Sequence, residues 1–481
     1  MSGSSGSIFL DFRLPSATTW FYLSLVLAVA LFVRFRHWTN WQNWDVLLMF
    51  LLVPGLLYLR ECQARRQEVA QLFAQTLSTS VTEAAAGHAL GSGLAETALP
   101  WSQAIEAAGR LHQADRGVRR AYLLLLLGSA ALLLRCLADL FIQRRQSFQA
   151  NLSTDGLVWL TVMLLIVFSI TTALPAFEAP KTPEAGAVLI ERAGQVLARQ
   201  PVVERLFDLD RLLAGMNVVA HVFNVAGLFW IGWRYFGRAA LGASAALLYL
   251  LLPYSAYQAR DLLHVAPASL LIGMIVVYRL PSVAGFLLGL GCVLVNFPLF
   301  LAPLWISYYL GRGLGRFLIG LGAAVAVLAG ALWWGGTLWQ EWQSVLNWPD
   351  WRVWDVSRRP SGEGLWSGLE LHYAYRVPLF IAYLALAAGT AIWPREKNLG
   401  HLVTLTSALT LGVQFWYGRA GGTYVLWYAP LLILVMLRPN FRDLEERAIP
   451  SWRERLRDWW QRLAGGSTAP APPAATGTSK V

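Results

Sequence analysis

Three short stretches of this 481-residue chain hold residue types that could do chemistry. In the first, 173–188, Glu178 and Glu184 stand where an apolar run gives way to Pro175, Pro180 and Pro183. A partly desolvated carboxylate there can act as a general base toward a hydroxyl. Glu184 also opens the helical run 185–198, where negative charge favours a helix N-terminus, so both readings stand. The second stretch, 253–264, contains Tyr257, Arg260, Asp261 and His264. Asp261 and His264, three apart, share one face of a helix and could ligate a metal or contact a phosphate. The fork of Arg260 suits a phosphate, and Tyr257 offers an aromatic contact to substrate. The alternative is an Arg260–Asp261 pair fixing a helix end at the membrane interface. In the third stretch, 415–424, Arg419 lies beside Gly418, Gly421 and Gly422, as a phosphate ligand or as a solvent-facing arginine.

A compositional anomaly adds a fourth set. Eight of the 23 tryptophans fall within residues 333–366, where an even spread would put about two. An aromatic belt at the membrane interface accounts for part of this. It accounts less well for Trp348, Trp351 and Trp354, which alternate with Asp350, Arg352 and Asp355 in a polar stretch. Indole faces of this kind make a platform for sugar rings or isoprenoid chains.

The elements that must position these residues are membrane helices. The chain is 56% hydrophobic and only 14% charged, and mean hydropathy is +0.47. That is roughly half the charge of a soluble domain, which leaves too little polar surface to cover a core. A cytosolic enzyme, a secreted disulfide scaffold and a disordered chain are thereby excluded. Cys62, Cys136 and Cys292 lie far apart and form neither a disulfide framework nor a metal pair. The net charge of +11 reads as basic residues holding the cytoplasmic ends of helices, not as nucleic-acid binding.

Apolar stretches predict an all-α, polytopic membrane protein with about 13 transmembrane helices, near 18–34, 45–59, 121–142, 155–175, 217–236, 239–254, 265–279, 282–297, 298–311, 317–336, 377–394, 400–417 and 422–438. Residues 1–150 form an N-terminal membrane region in which 61–120 reads as one or two amphipathic helices on the membrane or against the bundle. Residues 151–438 form the main core. Residues 439–481 form a cytoplasmic tail, first an amphipathic helix around 451–460 and then an Ala/Pro/Thr-rich disordered end. Arginines crowd the loops that face the tail's side, whereas 176–216 and 337–376 are balanced in charge and face outward. His221, Asn224 and Asn296, within spans, are expected to bond between helices. No phosphate-binding glycine loop, zinc-protease motif or serine elbow occurs, so no nucleotide is expected.

With these elements in order, 155–438 resembles the GT-C superfamily of membrane glycosyltransferases, in particular its protein-mannosyltransferase and aminoarabinose-transferase branch. The resemblance rests on Glu184 to Leu197 after an outer loop, the paired-span unit from Asn224 to Pro253, Ala259-Arg260-Asp261, the Gly-rich run 284–291, Asn296-Phe297-Pro298, and Tyr424 to Pro430. It implies a GT-C-like core and transfer of a sugar from a polyprenyl-phosphate-linked donor to a protein, lipid or glycan acceptor on the outer face of a bacterial cytoplasmic membrane. It implies Glu184 as base with Glu178 second, Asp261 and His264 as the second acidic or metal site, and Arg260 or Arg419 on the phosphate, with or without a divalent ion. Membrane lipids are the other expected partners; nucleic acid is not. Isolated glutamates replace the family's usual aspartate or paired acid, and Asn296-Phe297 stands where many members have a lysine before the proline. Two rivals make distinct predictions. A transporter or flippase would need ionisable groups at mid-span, where Asp139 is the main candidate. A non-catalytic envelope scaffold would leave Glu178, Glu184 and Asp261 facing no common cavity.

Overall fold

Proline and capping residues cut the apolar sequence into helices. In the computed structural model, which describes residues 17–36, 40–90, 98–142, 148–173, 209–295, 297–334, 364–418 and 420–444, every regular element is helical and no strand occurs among these residues. They run α1 (Ala17–Phe32), α2 (Trp41–Met49), α3 (Val53–Leu90), α4 (Ala98–Asp139), α5 (Thr154–Ala173), α6 (Leu209–Trp230), α7 (Ala239–Leu251), α8 (Pro253–Tyr257), α9 (Leu262–Val276) and α10 (Pro281–Leu294). Then come α11 (Ala302–Tyr309), α12 (Leu314–Trp334), α13 (Leu365–Gly368), α14 (Arg376–Ile392), α15 (Leu399–Trp416) and α16 (Val425–Leu437). All belong to one unit, Met1–Leu444; Glu445–Val481 form a second.

The cuts have local causes. Pro253 and Pro281 open α8 and α10 at a position where a missing N–H costs nothing. Asp261 caps α9, and Asn398 with His401 forms a reciprocal cap on α15. The expectation of thirteen full spans is therefore met only in coarser form. Among the described residues, four helices are long and apolar enough to cross a membrane: Ile105–Asp139, Thr154–Thr172, Leu212–Tyr235 and Tyr373–Ile392. Several others, α9 and α16 among them, are apolar but only 10–17 residues long. At 1.5 Å per residue, fifteen residues reach about 22 Å, short of a hydrocarbon layer of about 30 Å.

Burial sorts these helices. Every residue of α16 is buried, as are nearly all of α7 and α15, so these three form the centre. Helix α5 is peripheral: its apolar window is only 17% buried, and Trp159, Met163, Ile166 and Ile170 stand exposed. So large an apolar exterior fits a lipid surround.

The described parts of 61–120, residues 61–90 and 98–120, belong to α3 and α4. These two helices run antiparallel against each other, and their apolar ends are buried in the bundle. Gly55 lies against Leu125 and Gly117 against Cys62, and Arg66 pairs with Asp115 at 2.7 Å. With 38 and 42 residues, the two helices are about 57 and 63 Å long, roughly twice the depth of the hydrocarbon layer.

The Asp139 carboxylate sits inside an ionic chain. Arg135 binds Asp45 through two nitrogens, at 2.8 and 3.0 Å, and reaches Asp139 Oδ1 at 3.1 Å. Arg438 Nε donates to Asp139 Oδ2 at 2.6 Å, and Thr404 donates to the same oxygen at 3.2 Å. Two acids and two arginines from α2, α4 and the end of α16 thus neutralise one another, as buried charges must, with Asp45, Asp139 and Arg438 buried and Arg135 only 10% exposed. Beyond it, burial and the neighbouring Arg312 guanidinium push the Lys397 ammonium below its usual pKa. Its Nζ donates to the carbonyls of Ala391 and Pro394.

One further link fastens the N-terminal helices. Tyr254 Oη donates to Met49 O at 2.9 Å and accepts from Leu52 N at 3.1 Å, closing the break between α2 and α3. Tyr254→Phe leaves both backbone groups unpaired in a buried place, and thermal unfolding should register a loss of about 1–3 kcal/mol.

Candidate functional site

At the opposite end of α16 from Arg438, α6 begins the site. Asn217, His221 and Asn224, spaced four and three apart, lie on one buried face. His221 Nδ1 pairs with Tyr249 Oη at 2.7 Å and its Nε2 with Ala259 O at 3.1 Å. Asn224 Nδ2 donates to Tyr249 Oη at 3.3 Å. These are the interhelical bonds expected of His221 and Asn224, and they hold the turn 258–261 in place. Asn217 extends the set by donating from Nδ2 to Arg260 O at 2.9 Å.

The held turn brings three of the candidates together. Arg260 donates from Nη2 to Thr171 O, near the end of α5, at 2.7 Å. Asp261 uses Oδ1 to accept the N–H of Leu263 at 3.1 Å, and its Oδ2 faces His264 Nε2 at 3.4 Å. The pairing of Arg260 with Asp261 that would merely fix a helix end is thus replaced by two separate engagements. His264 stacks on Tyr424 with ring centroids 4.9 Å apart, and Tyr424 stacks in turn on Trp427 at 3.9 Å.

The glycine-rich turn before α16 closes the site. Ala420 and Gly422 have φ of 44° and 89°, and a Cβ on Gly422 would meet the Leu365 side chain at 2.7 Å. Glycine is needed there. Gly422 N donates to Gln414 Oε1 at 2.9 Å, and Gln258 Nε2 donates to Thr423 O at 3.1 Å. Leu365 N donates to Gly421 O at 2.9 Å, and Gly364 N donates to Tyr122 Oη of α4 at 2.9 Å. Arg119 of α4 pairs with Glu370 nearby. The buried Arg376 donates from Nε to Trp416 O at 3.0 Å, its guanidinium 4.8 Å above the Tyr373 ring.

Compared with protein-family models, with curated proteins and with solved structures, the chain matches none.

The remaining candidates are distributed as follows. Glu178, Glu184, Trp348, Trp351, Trp354 and Arg419, and Asn296 with them, lie outside the described residues. Tyr257 closes α8, and its side chain is likewise outside them. As a metal site, Asp261 and His264 are two ligand-type side chains already facing each other. Zinc sites take three or more protein ligands, and the described residues hold no group of three His, Cys, Asp or Glu able to take an ion. Gln258, Gln414, Asn217 and Arg376 escaped the reading of the sequence. Gln414 carried a usable signal: an amide inside the apolar run 400–417 needs a buried partner.

Proposed function

We propose that this chain is an integral membrane glycosyltransferase of about thirteen spans with a GT-C-like core. It moves a sugar from a polyprenyl-phosphate donor to an acceptor hydroxyl at the outer face of a bacterial cytoplasmic membrane. One observation supports this most directly: the stretches that hold the chemical candidates begin or end at one bonded cluster. The carboxylate-bearing stretch starts two residues after Thr171, which Arg260 grips. The last residues of the tryptophan-rich stretch include Gly364, bonded to Tyr122, and Leu365, bonded to Gly421. Arg419 lies between Gly418 and Ala420 of that same turn.

The chemistry follows from these residue types. Glu184, or Glu178, accepts the proton of the acceptor hydroxyl as its oxygen attacks the anomeric carbon. The bond from that carbon to the phosphate oxygen breaks, and the electron pair stays on the phosphate. Arg260 spends one N–H on Thr171 and keeps others of its five for the leaving phosphate. No step needs the Asp261–His264 pair to hold a metal.

Bare polyprenyl phosphate tests the reading. In a structure of the lipid-bound protein, phosphate density should fall beside Arg260 or Arg419, and Arg260→Ala should weaken binding about 10- to 100-fold. Lipid confined to the outer apolar belt, with affinity indifferent to Arg260, would sink the proposal.

A further inference from the structure

We infer that Gln258, Gln414 and His264 form a subsite for an uncharged, hydroxyl-bearing ring, the sugar of a lipid-linked donor, set apart from the phosphate grip of Arg260. The inference rests on the transferase reading for the identity of the ligand, but its own evidence is separate. Gly422 and Thr423 each hold one amide side chain by one end only, and the ring of the next residue, Tyr424, stacks on His264. Gly422 N–H binds Gln414 Oε1, and Thr423 C=O binds Gln258 Nε2. The other ends, Gln414 Nε2, Gln258 Oε1 and His264 Nδ1, are buried and have no partner among the described residues. Their residues are 0%, 9% and 8% exposed, so bulk water does not satisfy them.

The backbone also settles which atom each amide presents. A carbonyl at Thr423 demands the amide nitrogen of Gln258, so its oxygen points away. An N–H at Gly422 demands the oxygen of Gln414, so its NH₂ points away. His264 turns Nε2 toward the Asp261 carboxylate, which favours a proton there and leaves Nδ1 as an acceptor. The three open groups are therefore two acceptors and one donor, none charged. A phosphate would meet two acceptors with its own oxygens and be repelled. Hydroxyl groups both donate and accept, so a polyol ring can satisfy all three, beside the stacked rings of His264, Tyr424 and Trp427.

The test uses the full chain in lipid nanodiscs. Its probes are polyprenyl-phosphoryl mannose, polyprenyl-phosphoryl arabinose, bare polyprenyl phosphate and the corresponding methyl glycosides. Gln414→Glu keeps an oxygen for Gly422 N–H but turns the outward donor into an acceptor; Gln258→Met, of similar size, removes the outward acceptor. At least one sugar-bearing lipid should bind tenfold or more tightly than the bare lipid, and either variant should bring that ratio close to one. Its methyl glycoside should compete, with the same dependence on both glutamines. If the glycosides themselves bind with this dependence on both glutamines while no phosphate lipid binds, the sugar subsite stands and the transferase reading falls. If the bare lipid binds through Arg260 while the sugar adds nothing, the subsite is overturned and the transferase reading survives. A high-resolution map with only waters bridging the three side chains, and no sugar-dependent affinity in the wild type, also overturns it.

Discussion

Exchanging Asp139 for alanine should lower stability by about 3–5 kcal/mol, the largest loss expected from any single replacement in the described part of the protein. The reason is what remains behind. Arg438 and Arg135 both bond this carboxylate, and Arg438 is 2% exposed. Removing the acid strands a guanidinium where no water can reach it. Arg135 keeps its two bonds to Asp45, so most of the cost falls on Arg438. A denaturant titration of the reconstituted protein measures the loss. The pair variant Asp139→Leu with Arg438→Met should recover a good part of it, since removing both charges together also removes the desolvation they suffer. A single variant as stable as the wild type would show that these charges are not buried together.

The second large effect is on turnover. Glu184→Gln should reduce sugar transfer about 10²–10⁴-fold, the usual contribution of a positioned general base, while leaving donor binding and the unfolding transition unchanged. Glu178→Gln should act more weakly. Steady-state transfer of radiolabelled sugar from polyprenyl-phosphoryl donors, measured beside binding of the same lipids, separates the two effects. Full activity in the Glu184 variant would remove the base from that position and, with it, the main residue carried over from the resemblance.

Some of this was legible along the chain because it depends on composition or on neighbours. The apolar runs give all-helical structure, and Pro253, Pro281 and the capping Asp261 end helices through effects confined to one turn. The proximity of Asp261 and His264 followed from a spacing of three. Helix length was less legible. The polar positions of 61–120 suggest amphipathic helices on the membrane or against the bundle; that the described parts, 61–90 and 98–120, continue apolar segments of α3 and α4 leaves no local mark, because a helix can run on across a change in polarity.

Partnership over long separations was not legible at all. Asp139 looked like an isolated acid in a span, because Asp45 lies 90 residues from Arg135 and Arg438 lies 299 residues from Asp139. Gln258 and Gln414 drew no notice, since an amide's role depends on which backbone groups it meets, here Thr423 and Gly422. Residue order alone specified the helical class, the apolar exterior and the polar residue types, since these follow from local propensity and from the cost of leaving apolar surface in water. The tertiary structure decided which charges neutralise one another and which polar groups are left open. Both depend on side chains brought together from far along the chain, in a medium where any group left unpaired is costly.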